Sequence, residues 1–165
     1  SSVGKTPTRA SKVWFVTRNW RGALFCFCHN RVDARPNQPL YDTVGGNMEV
    51  DDDGSHARCA LREMSEEVVL PEKWMAASMT SMVLQPNGDA LLQLVHAKWE
   101  APQMVAMWVV KLDWEVAQDG PPVATAQGLQ EMLGGSLMWR TVKDVVASLR
   151  QYVFMGPVAD VLDRM

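Results

Sequence analysis

The segment 55–70 constrains the fold of this chain more than any other part of the sequence. Small and apolar residues recur at spacings of three and four, at Ala57, Ala60, Leu61, Met64 and Val68. This period is that of one face of an α-helix. Ser55 is a favourable N-cap and Pro71 ends the helix. The pattern therefore predicts an amphipathic helix, whose apolar face must be covered by a second layer of structure.

The runs on either side of this helix predict that second layer. Runs rich in β-branched and aromatic residues predict strands at residues 12–17, 23–28, 41–44, 77–84, 90–99, 104–112 and 137–140. The segment 85–89, Gln-Pro-Asn-Gly-Asp, is typical of a hairpin turn between two of these strands. Further helical patterns lie at 126–133, 142–154 and 158–162. Strands that surround one central helix predict an α/β or α+β sandwich, formed by residues 12–165 as a single domain after a basic N-terminal tail, 1–11.

Three glutamates lie on the predicted helix beside its apolar stripe. Glu63, Glu66 and Glu67 stand at positions i, i+3 and i+4, which gathers their carboxylates on one side. Two such charges about 5 Å apart repel by roughly 3 kcal/mol at an effective dielectric constant of about 20. A divalent cation turns this repulsion into attraction, and clustered carboxylate oxygens suit Mg²⁺ or Mn²⁺ rather than zinc. The alternative is a solvated acidic face paired with Arg58 and Arg62.

A pair of glycines upstream of the helix completes a known motif. Gly45-Gly46, the run Arg62-Glu63-Met64-Ser65-Glu66-Glu67 and Leu70 resemble the signature of the Nudix hydrolase family. That signature runs glycine, five residues, glutamate, seven residues, then Arg-Glu-apolar-any-Glu-Glu-any-Gly-apolar, in a loop–helix–loop. The resemblance implies an α/β fold, a Nudix-type α/β/α sandwich with a mixed β-sheet around the central box helix, and thus a Nudix-like domain over residues 12–165.

The signature is divergent in this chain. Gly46 and Arg62 are sixteen positions apart instead of fourteen, so two residues are inserted, and the Asp51-Asp52-Asp53 turn is the expected place. Counting forward from Gly46 puts Asp52 where the family has its first glutamate, which supports the box arginine. We expect an aspartate of this longer turn to support Arg62 less well. The late glycine of the signature is replaced by Val69.

The resemblance also implies an activity, which is metal-dependent hydrolysis of a diphosphate bond in a nucleoside diphosphate linked to another group. Mg²⁺ or Mn²⁺ would neutralise the diphosphate, orient it and activate a water molecule. The implied metal ligands are the carboxylates of Glu63, Glu66 and Glu67 and the carbonyl oxygen of Gly46. Arg62 would orient a carboxylate rather than contact the substrate.

The general base and the nucleobase site are indicated by weaker signals. Glu66 or Glu67 can serve as the base, and Glu131 is favoured among the more distant acidic residues, which include Glu100 and Glu115. Glu131 precedes the Leu137-Met138-Trp139 run, and the family often has an acidic residue before a tryptophan-containing strand. The alternative is that Glu131 is a solvated helix glutamate. A nucleobase needs a flat side chain to stack on. The candidates are Trp14, Trp20, Phe25, Tyr41 and Trp108, although most tryptophans belong in a core.

Charge is unevenly distributed along the chain. The formal net charge is −3, which disfavours a general nucleic-acid coat protein. The first 32 residues nevertheless contain six basic residues and no acidic one, and the basic residues are Lys5, Arg9, Lys12, Arg18, Arg21 and Arg31. This block, the altered turn and Val69 support an alternative, a catalytically inactive Nudix-fold interaction module that binds a protein or RNA partner in a larger, for example ribonucleoprotein, assembly. An unrelated α/β protein with a chance acidic helix is a third hypothesis.

The cysteines and the apolar runs bear on the protein's environment. Three cysteines, Cys26, Cys28 and Cys59, are too few and odd in number for a disulfide scaffold. They predict a reducing intracellular compartment, cytoplasmic or mitochondrial. No run approaches the ~18 apolar residues of a membrane span, so no membrane partner is expected. Eleven methionines and the apolar C-terminal helices leave a homodimer open.

Overall fold

A seven-stranded mixed sheet forms the centre of the computed structural model, which describes residues 6–132 and 136–165. The strands are β1 (Thr8–Arg18), β2 (Leu24–Asn30), β3 (Tyr41–Asp42), β4 (Val44–Asn47), β5 (Val68–Val69), β6 (Ala90–Leu94), β7 (Gln103–Leu112), β8 (Val123–Ala124) and β9 (Leu137–Thr141). The main sheet has the order β3-β2-β1-β7-β6, with β4 paired to β1 and β9 paired to β2. β5 and β8 form a separate antiparallel pair. Because β1 and β7 run parallel while the other pairs are antiparallel, the sheet is mixed as predicted.

The helices cover both faces of this sheet. They are α1 (His56–Glu67), α2 (Glu72–Leu84), α3 (Trp114–Gln118), α4 (Ala126–Glu131), α5 (Val142–Arg150) and α6 (Gly156–Asp163). Alternate residues of β1 point to opposite faces. Val13 and Phe15 belong to the apolar core under α1 and α2, whereas Trp14 and Val16 belong to the core under α5 and α6. The predicted α/β/α sandwich is therefore present.

One edge of β1 is shared by two strands, and this division creates the space for a site. β7 pairs with β1 along nearly its whole length and occupies the other edge. The C-terminal part of β1 pairs with β2, from Val16 to Arg18, and its N-terminal part pairs with β4, from Ala10 to Val13. β2 and β4 must therefore diverge beside the middle of β1.

Helix α1 begins where the sequence predicts. The side chain of Ser55 caps it by accepting a hydrogen bond from the Arg58 N–H at 3.1 Å. The helix ends at Glu67, three residues before the predicted end, because Val68 and Val69 form β5 and pair with β8. The glutamates at its C-terminal end therefore lie where the helix gives way to a strand.

Other boundaries differ more. The predicted strand 77–84 is wrong, since these residues belong to α2, which buries Trp74, Ser78 and Met82 at a spacing of four. Apolar residues also occupy exposed positions of α2, so the helical period is obscured in the sequence. The segment 85–89 therefore joins a helix to β6, and β6 ends at Leu94 rather than at residue 99. Helix α3 was not predicted.

The N-terminal boundary lies earlier than predicted. β1 begins at Thr8, so Thr8–Ser11 belong to the sheet, and of the expected tail only residues 6 and 7 are described before it. The three cysteines are free and buried. Within the described residues, no helix has the length and apolar character needed to cross a membrane.

Candidate metal centre and adjoining cavity

A cavity of about 580 Å³ opens beside the divergence of β2 and β4. This volume lies within the range of roughly 300–1,000 Å³ that small-molecule sites occupy. Its wall includes Lys12 of β1, Gly45 and Gly46 of β4, Glu67 at the end of α1 and Glu131 at the end of α4. The cavity therefore reaches from the sheet to the acidic end of the predicted signature helix.

Three carboxylates meet at this end of the cavity. Glu63, Glu67 and Glu131 each place one oxygen so that all three oxygens lie within 4.8 Å of one another. Glu63 and Glu67 are buried and Glu131 is exposed. The structure thus brings together two of the predicted ligands with the more distant glutamate that was predicted as a base.

The glycine pair makes room for two of these carboxylates. The Gly45 N–H donates to Oε1 of Glu67 at 3.0 Å. A Cβ atom on Gly46 would lie only 2.5–2.6 Å from the carboxyl group of Glu63, and one on Gly45 would lie 2.1 Å from the Ser11 carbonyl oxygen. Larger residues would therefore push β4 away from α1 or from β1.

Arg62 is held by the turn that contains the insertion. Its Nε and Nη2 donate to the two carboxylate oxygens of Asp52 at 3.0 and 2.9 Å, a bidentate geometry. Asp52 is buried in a 3₁₀ turn (Val50–Asp52), and its side chain also accepts from the Glu49 N–H at 2.8 Å. These hydrogen bonds, chiefly from Arg62, lower the pKa of Asp52. The longer turn therefore supplies an aspartate that holds Arg62 and is itself held by the Glu49 N–H.

Glu66 lies outside the three-carboxylate group. Its carboxylate accepts from Nη1 of Arg62 at 3.2 Å and is 3.5 Å from Nε2 of Gln127. The same Arg62 nitrogen donates to Oε1 of Glu63 at 3.0 Å. Nη1 of Arg62 therefore contacts the carboxylates of both Glu63 and Glu66, which agrees with the orienting role that the Nudix resemblance implies.

Helix α4 carries Glu131 to the group because it docks on the C-terminal end of α1. The Thr125 N–H donates to the Glu67 carbonyl oxygen at 2.9 Å, and the Thr125 hydroxyl donates to the Glu66 carbonyl oxygen. A Cβ atom on Gly128 would lie 1.9 Å from the carbonyl oxygen of Glu67, so only glycine permits this approach. The docking places Glu131, one turn further along α4, beside Glu67.

Burial raises the pKa of the two buried members of the group, Glu63 and Glu67. Desolvation raises the pKa of Glu67 to about 7, although the hydrogen bond from Gly45 and the nearby Lys12 act in the opposite direction. Desolvation also raises the pKa of Glu63, in spite of Arg62. A cation among these oxygens would favour the ionised carboxylates. Oxygen donors of this kind suit Mg²⁺ or Mn²⁺, so the residues present fit the predicted metal.

The cavity wall contains a second charged group, which the sequence did not indicate. Asp42 is buried, and its Oδ2 lies 3.1 Å from Nζ of Lys12 and 3.5 Å from Nη1 of Arg31. Burial opposes the ionisation of Asp42, but Lys12 and Arg31 outweigh it, and the pKa of Asp42 is lowered. Lys12 and Asp42 are 30 residues apart in sequence, so no local pattern could have paired them.

Of the predicted stacking residues, Trp14 alone is among the residues that line the cavity. Trp14 is fully buried. Trp108 lies in the opposite core, under α1 and α2, where its Nε1 donates to the Gln85 carbonyl oxygen at 2.7 Å. Phe25 packs against an indole of α3, Tyr41 lies against a guanidinium group of β9, and neither lines the cavity. Trp108, Phe25 and Tyr41 therefore do not support the predicted stacking role.

Two unpredicted aromatic residues line the cavity instead. The rings of Trp99 and Phe154 lie 5.5 Å apart in an edge-on arrangement, and His96 packs against both. Trp20, the remaining stacking candidate, is exposed in the turn between β1 and β2. Trp99 and Phe154 come from segments far apart in sequence, which explains why neither was singled out.

The basic N-terminal block does not form one tail in the described part of the chain. Arg9, Lys12 and Arg18 lie on β1, inside the sheet. Arg31 pairs with Asp33 at 2.5 Å. Lys5 lies outside the described residues.

Comparisons with known proteins identify the fold. No protein-family model and no curated protein matches the sequence. Among solved structures, a Nudix hydrolase from Alicyclobacillus acidocaldarius superposes with a TM-score of 0.59 at 12% identity, covering 97% of this chain and 91% of that one. A C. elegans Ap4A hydrolase in a binary complex gives a TM-score of 0.54 at 14% identity and covers 93% of each chain. The chain thus has the Nudix fold.

Proposed function

We propose that this protein hydrolyses a diphosphate bond in a nucleoside diphosphate linked to another group, with Mg²⁺ or Mn²⁺ as cofactor. One observation carries the proposal: oxygens of Glu63, Glu67 and Glu131 converge within 4.8 Å of one another, and Glu67 and Glu131 line a cavity of about 580 Å³. The Nudix fold supports it, because the solved neighbours include hydrolases, one of which is named for the dinucleotide Ap4A.

The proposed metal ligands come from three elements. Glu63 and Glu67 belong to α1, Glu131 belongs to α4, and the carbonyl of Gly46 on β4 adds an uncharged oxygen. That carbonyl accepts a long hydrogen bond from the Cys59 thiol, at 3.5 Å. Glu66 lies outside this group and accepts a hydrogen bond from Arg62, so its proposed role is to hold Arg62 in place.

The bound ions would supply charge neutralisation and an activated water molecule. Side chains of this protein would orient the metal ligands and act as the general base. Arg62 fixes the orientation of Glu63 from one side while Asp52 fixes Arg62 from the other. Glu131 is the proposed general base, since its carboxylate is exposed at the group and accepts a hydrogen bond from Gln127 at 3.0 Å instead of pairing with Arg62.

Two of the three observations that favoured an inactive interaction module are weakened by the structure. The altered turn supports Arg62 through Asp52, so the inserted residues do not disable that part of the site. The described basic residues of the N-terminal block are dispersed over the sheet and its turns. We therefore propose the enzyme and not the module.

Metal binding is the first test. Mn²⁺ is titrated into the protein and the free ion is followed by electron paramagnetic resonance. We expect the Glu63→Gln/Glu67→Gln double variant to bind Mn²⁺ at least about tenfold more weakly than the wild type, because it loses two charged ligands. The matched control is Glu72→Gln/Glu115→Gln, which removes two exposed glutamates elsewhere and leaves binding unchanged.

Hydrolysis is the second test. The Mn²⁺-loaded and Mg²⁺-loaded proteins are incubated with nucleotide sugars, dinucleoside polyphosphates and nucleoside triphosphates, and released phosphate or nucleotide is measured by chromatography. Turnover of at least one compound, lost in the double variant, is the expected result. Equal Mn²⁺ binding by both proteins, or a metal-loaded wild type that hydrolyses no compound of the panel, would contradict the proposal.

A further inference from the structure

We propose that Lys12 binds the phosphate groups of the substrate at the junction between the three-carboxylate group and the rest of the cavity. The inference rests on the proposed function and adds a binding residue that lies outside the predicted signature. Three observations support it: the position of the Lys12 side chain, the contacts of its ammonium group, and the contacts of the other cation on the cavity wall.

The sheet register places Lys12 at this junction. Lys12 of β1 pairs with Gly45 of β4, the residue whose N–H donates to Glu67. A Cβ atom on Gly45 would lie 2.9 Å from Cδ of Lys12, so the lysine stem crosses the glycine at close range. Its charge acts on the neighbouring carboxylate, because Lys12 counteracts the burial that raises the pKa of Glu67. The Lys12 side chain therefore lies on the cavity wall beside the strand whose Gly45 N–H contacts Glu67.

The ammonium group retains donors for a ligand. A lysine ammonium carries three N–H bonds. Among the described residues, Asp42 is the acceptor for one of them, at 3.1 Å. The Lys12 side chain is 24% exposed, whereas that of Asp42 is 4% exposed. A buried aspartate therefore holds the lysine, which itself remains accessible from the cavity.

Arg31, the other permanently charged cation among the described lining residues, is engaged differently. Its Nε and Nη2 donate to the two carboxylate oxygens of Asp33 at 2.8 and 2.5 Å, which fixes the guanidinium in a bidentate pair. It also lies 3.5 Å from Asp42. Arg31 thus contacts two carboxylates, whereas the ammonium group of Lys12 contacts one among the described residues.

A phosphate group fits this arrangement better than a neutral group does. Lysine binds phosphate oxygens as a compact point charge on a flexible stem. A diphosphate anchored at the three-carboxylate group through metal ions has non-bridging oxygens on the side that faces the cavity. Lys12 can reach such oxygens while Asp42 holds its ammonium group in place.

The test measures nucleotide binding without turnover. The probe is adenosine 5′-(α,β-methylene)diphosphate with Mg²⁺, titrated by calorimetry. We expect Lys12→Met to weaken binding at least about tenfold, the change that corresponds to the loss of one charge-assisted hydrogen bond. Lys12→Arg should restore most of the affinity. The matched control is Lys111→Met, an exposed lysine on β7, which should bind as the wild type does.

Metal binding separates a substrate contact from a structural role. Mn²⁺ alone should bind Lys12→Met as tightly as the wild type or more tightly, because a positive charge near Glu67 has been removed. A Lys12→Met/Asp42→Asn variant removes both members of the pair, so that no buried carboxylate loses its partner, and it should show the same loss of nucleotide affinity.

Several results would overturn the inference. They are unchanged nucleotide affinity in both Lys12 variants, parallel loss of Mn²⁺ binding, and a wild type that does not bind the probe with Mg²⁺ present. If the wild type binds Mn²⁺ and hydrolyses a diphosphate while the Lys12 variants bind the probe normally, the inference alone fails. If the wild type neither binds Mn²⁺ nor hydrolyses any substrate, the proposed function fails.

Discussion

Four buried carboxylates near the cavity fall into two pairs that the protein treats in opposite ways. Their exposed fractions are similar, at 3% for Asp42, 2% for Asp52, 8% for Glu63 and 4% for Glu67. The two aspartates contact cationic side chains at 2.9–3.1 Å and have lowered pKa values. The two glutamates have pKa values raised by burial. The aspartates are thus paired with cations that lower their pKa, whereas the pKa of Glu63 stays raised although Arg62 contacts it at 3.0 Å, and the carboxylate of Glu67 accepts a hydrogen bond from the Gly45 N–H.

The largest expected effect comes from Glu67→Gln. Hydrolysis should fall at least about 100-fold, since a direct ligand should matter more than the outer partners whose loss typically costs 10–100-fold. Stability should not fall, because the substitution removes a charge that burial disfavours. Turnover and urea-induced unfolding, both measured against the wild type, check the two parts. A strongly destabilised variant would show that Glu67 is a structural carboxylate like Asp52.

Asp52→Asn, in contrast to Glu67→Gln, should lower the stability of the protein. It breaks a buried bidentate pair with Arg62, so we expect the free energy of unfolding to fall by about 2–3 kcal/mol. Urea unfolding measures this loss. Asp51→Asn, at the neighbouring exposed position of the same turn, is the control and should change stability little. Equal stability of the two variants would remove the distinction between the pairs.

Gly128→Ala tests whether the glutamate group depends on the docking of α4. The new methyl group would lie 1.9 Å from the Glu67 carbonyl oxygen, so α4 must shift and carry Glu131 with it. We expect a loss of about 1–3 kcal/mol in stability and weaker Mn²⁺ binding. Gly156→Ala places its methyl group in open space and should leave Mn²⁺ binding unchanged. Normal Mn²⁺ binding by Gly128→Ala would mean that Glu131 is dispensable.

The smallest expected effect is a pH dependence of opposite sign in the two pairs. The pKa of Glu67 is about 7 in the metal-free fold and near 4.5 when unfolded. Below pH 4.5 the Glu67 carboxyl is protonated in both the folded and the unfolded protein. Between pH 4.5 and about 7 it ionises in the unfolded protein but stays mostly protonated in the fold. The contribution of Glu67 to stability therefore falls as pH rises through this range. The lowered pKa values of Asp42 and Asp52 give a contribution that is present at neutral pH and lost in acid.

Urea unfolding with a chelator present, at pH 5 and pH 8, measures this dependence. Glu67→Gln should gain stability relative to the wild type on going from pH 5 to pH 8. Added Mn²⁺ should stabilise the wild type at pH 8 more than at pH 5, because metal and proton compete for the carboxylate. A stability difference between the two proteins that does not change with pH would contradict the raised pKa of Glu67.

Local sequence determined the helix that carries the predicted signature. The three- and four-residue spacing, the Ser55 cap and the glutamates at i, i+3 and i+4 all lie within one segment, so α1 and the side on which its carboxylates gather could be predicted. The same reasoning failed for α2, where apolar side chains on the exposed face hide the helical period. The strand β1 was predicted from its β-branched and aromatic residues, but its start at Thr8 was not.

Tertiary structure decided which charged groups meet. Glu131 reaches Glu67 because Gly128 lets α4 approach the end of α1, and Lys12 reaches Asp42 because β2 and β4 diverge beside β1. Such contacts join residues that are 30 or more positions apart, and sheet register and helix docking set them, not local spacing. The sequence by itself thus determined the signature helix and its acidic face. Only the tertiary structure decided that two buried glutamates with raised pKa values meet Glu131 beside a cavity.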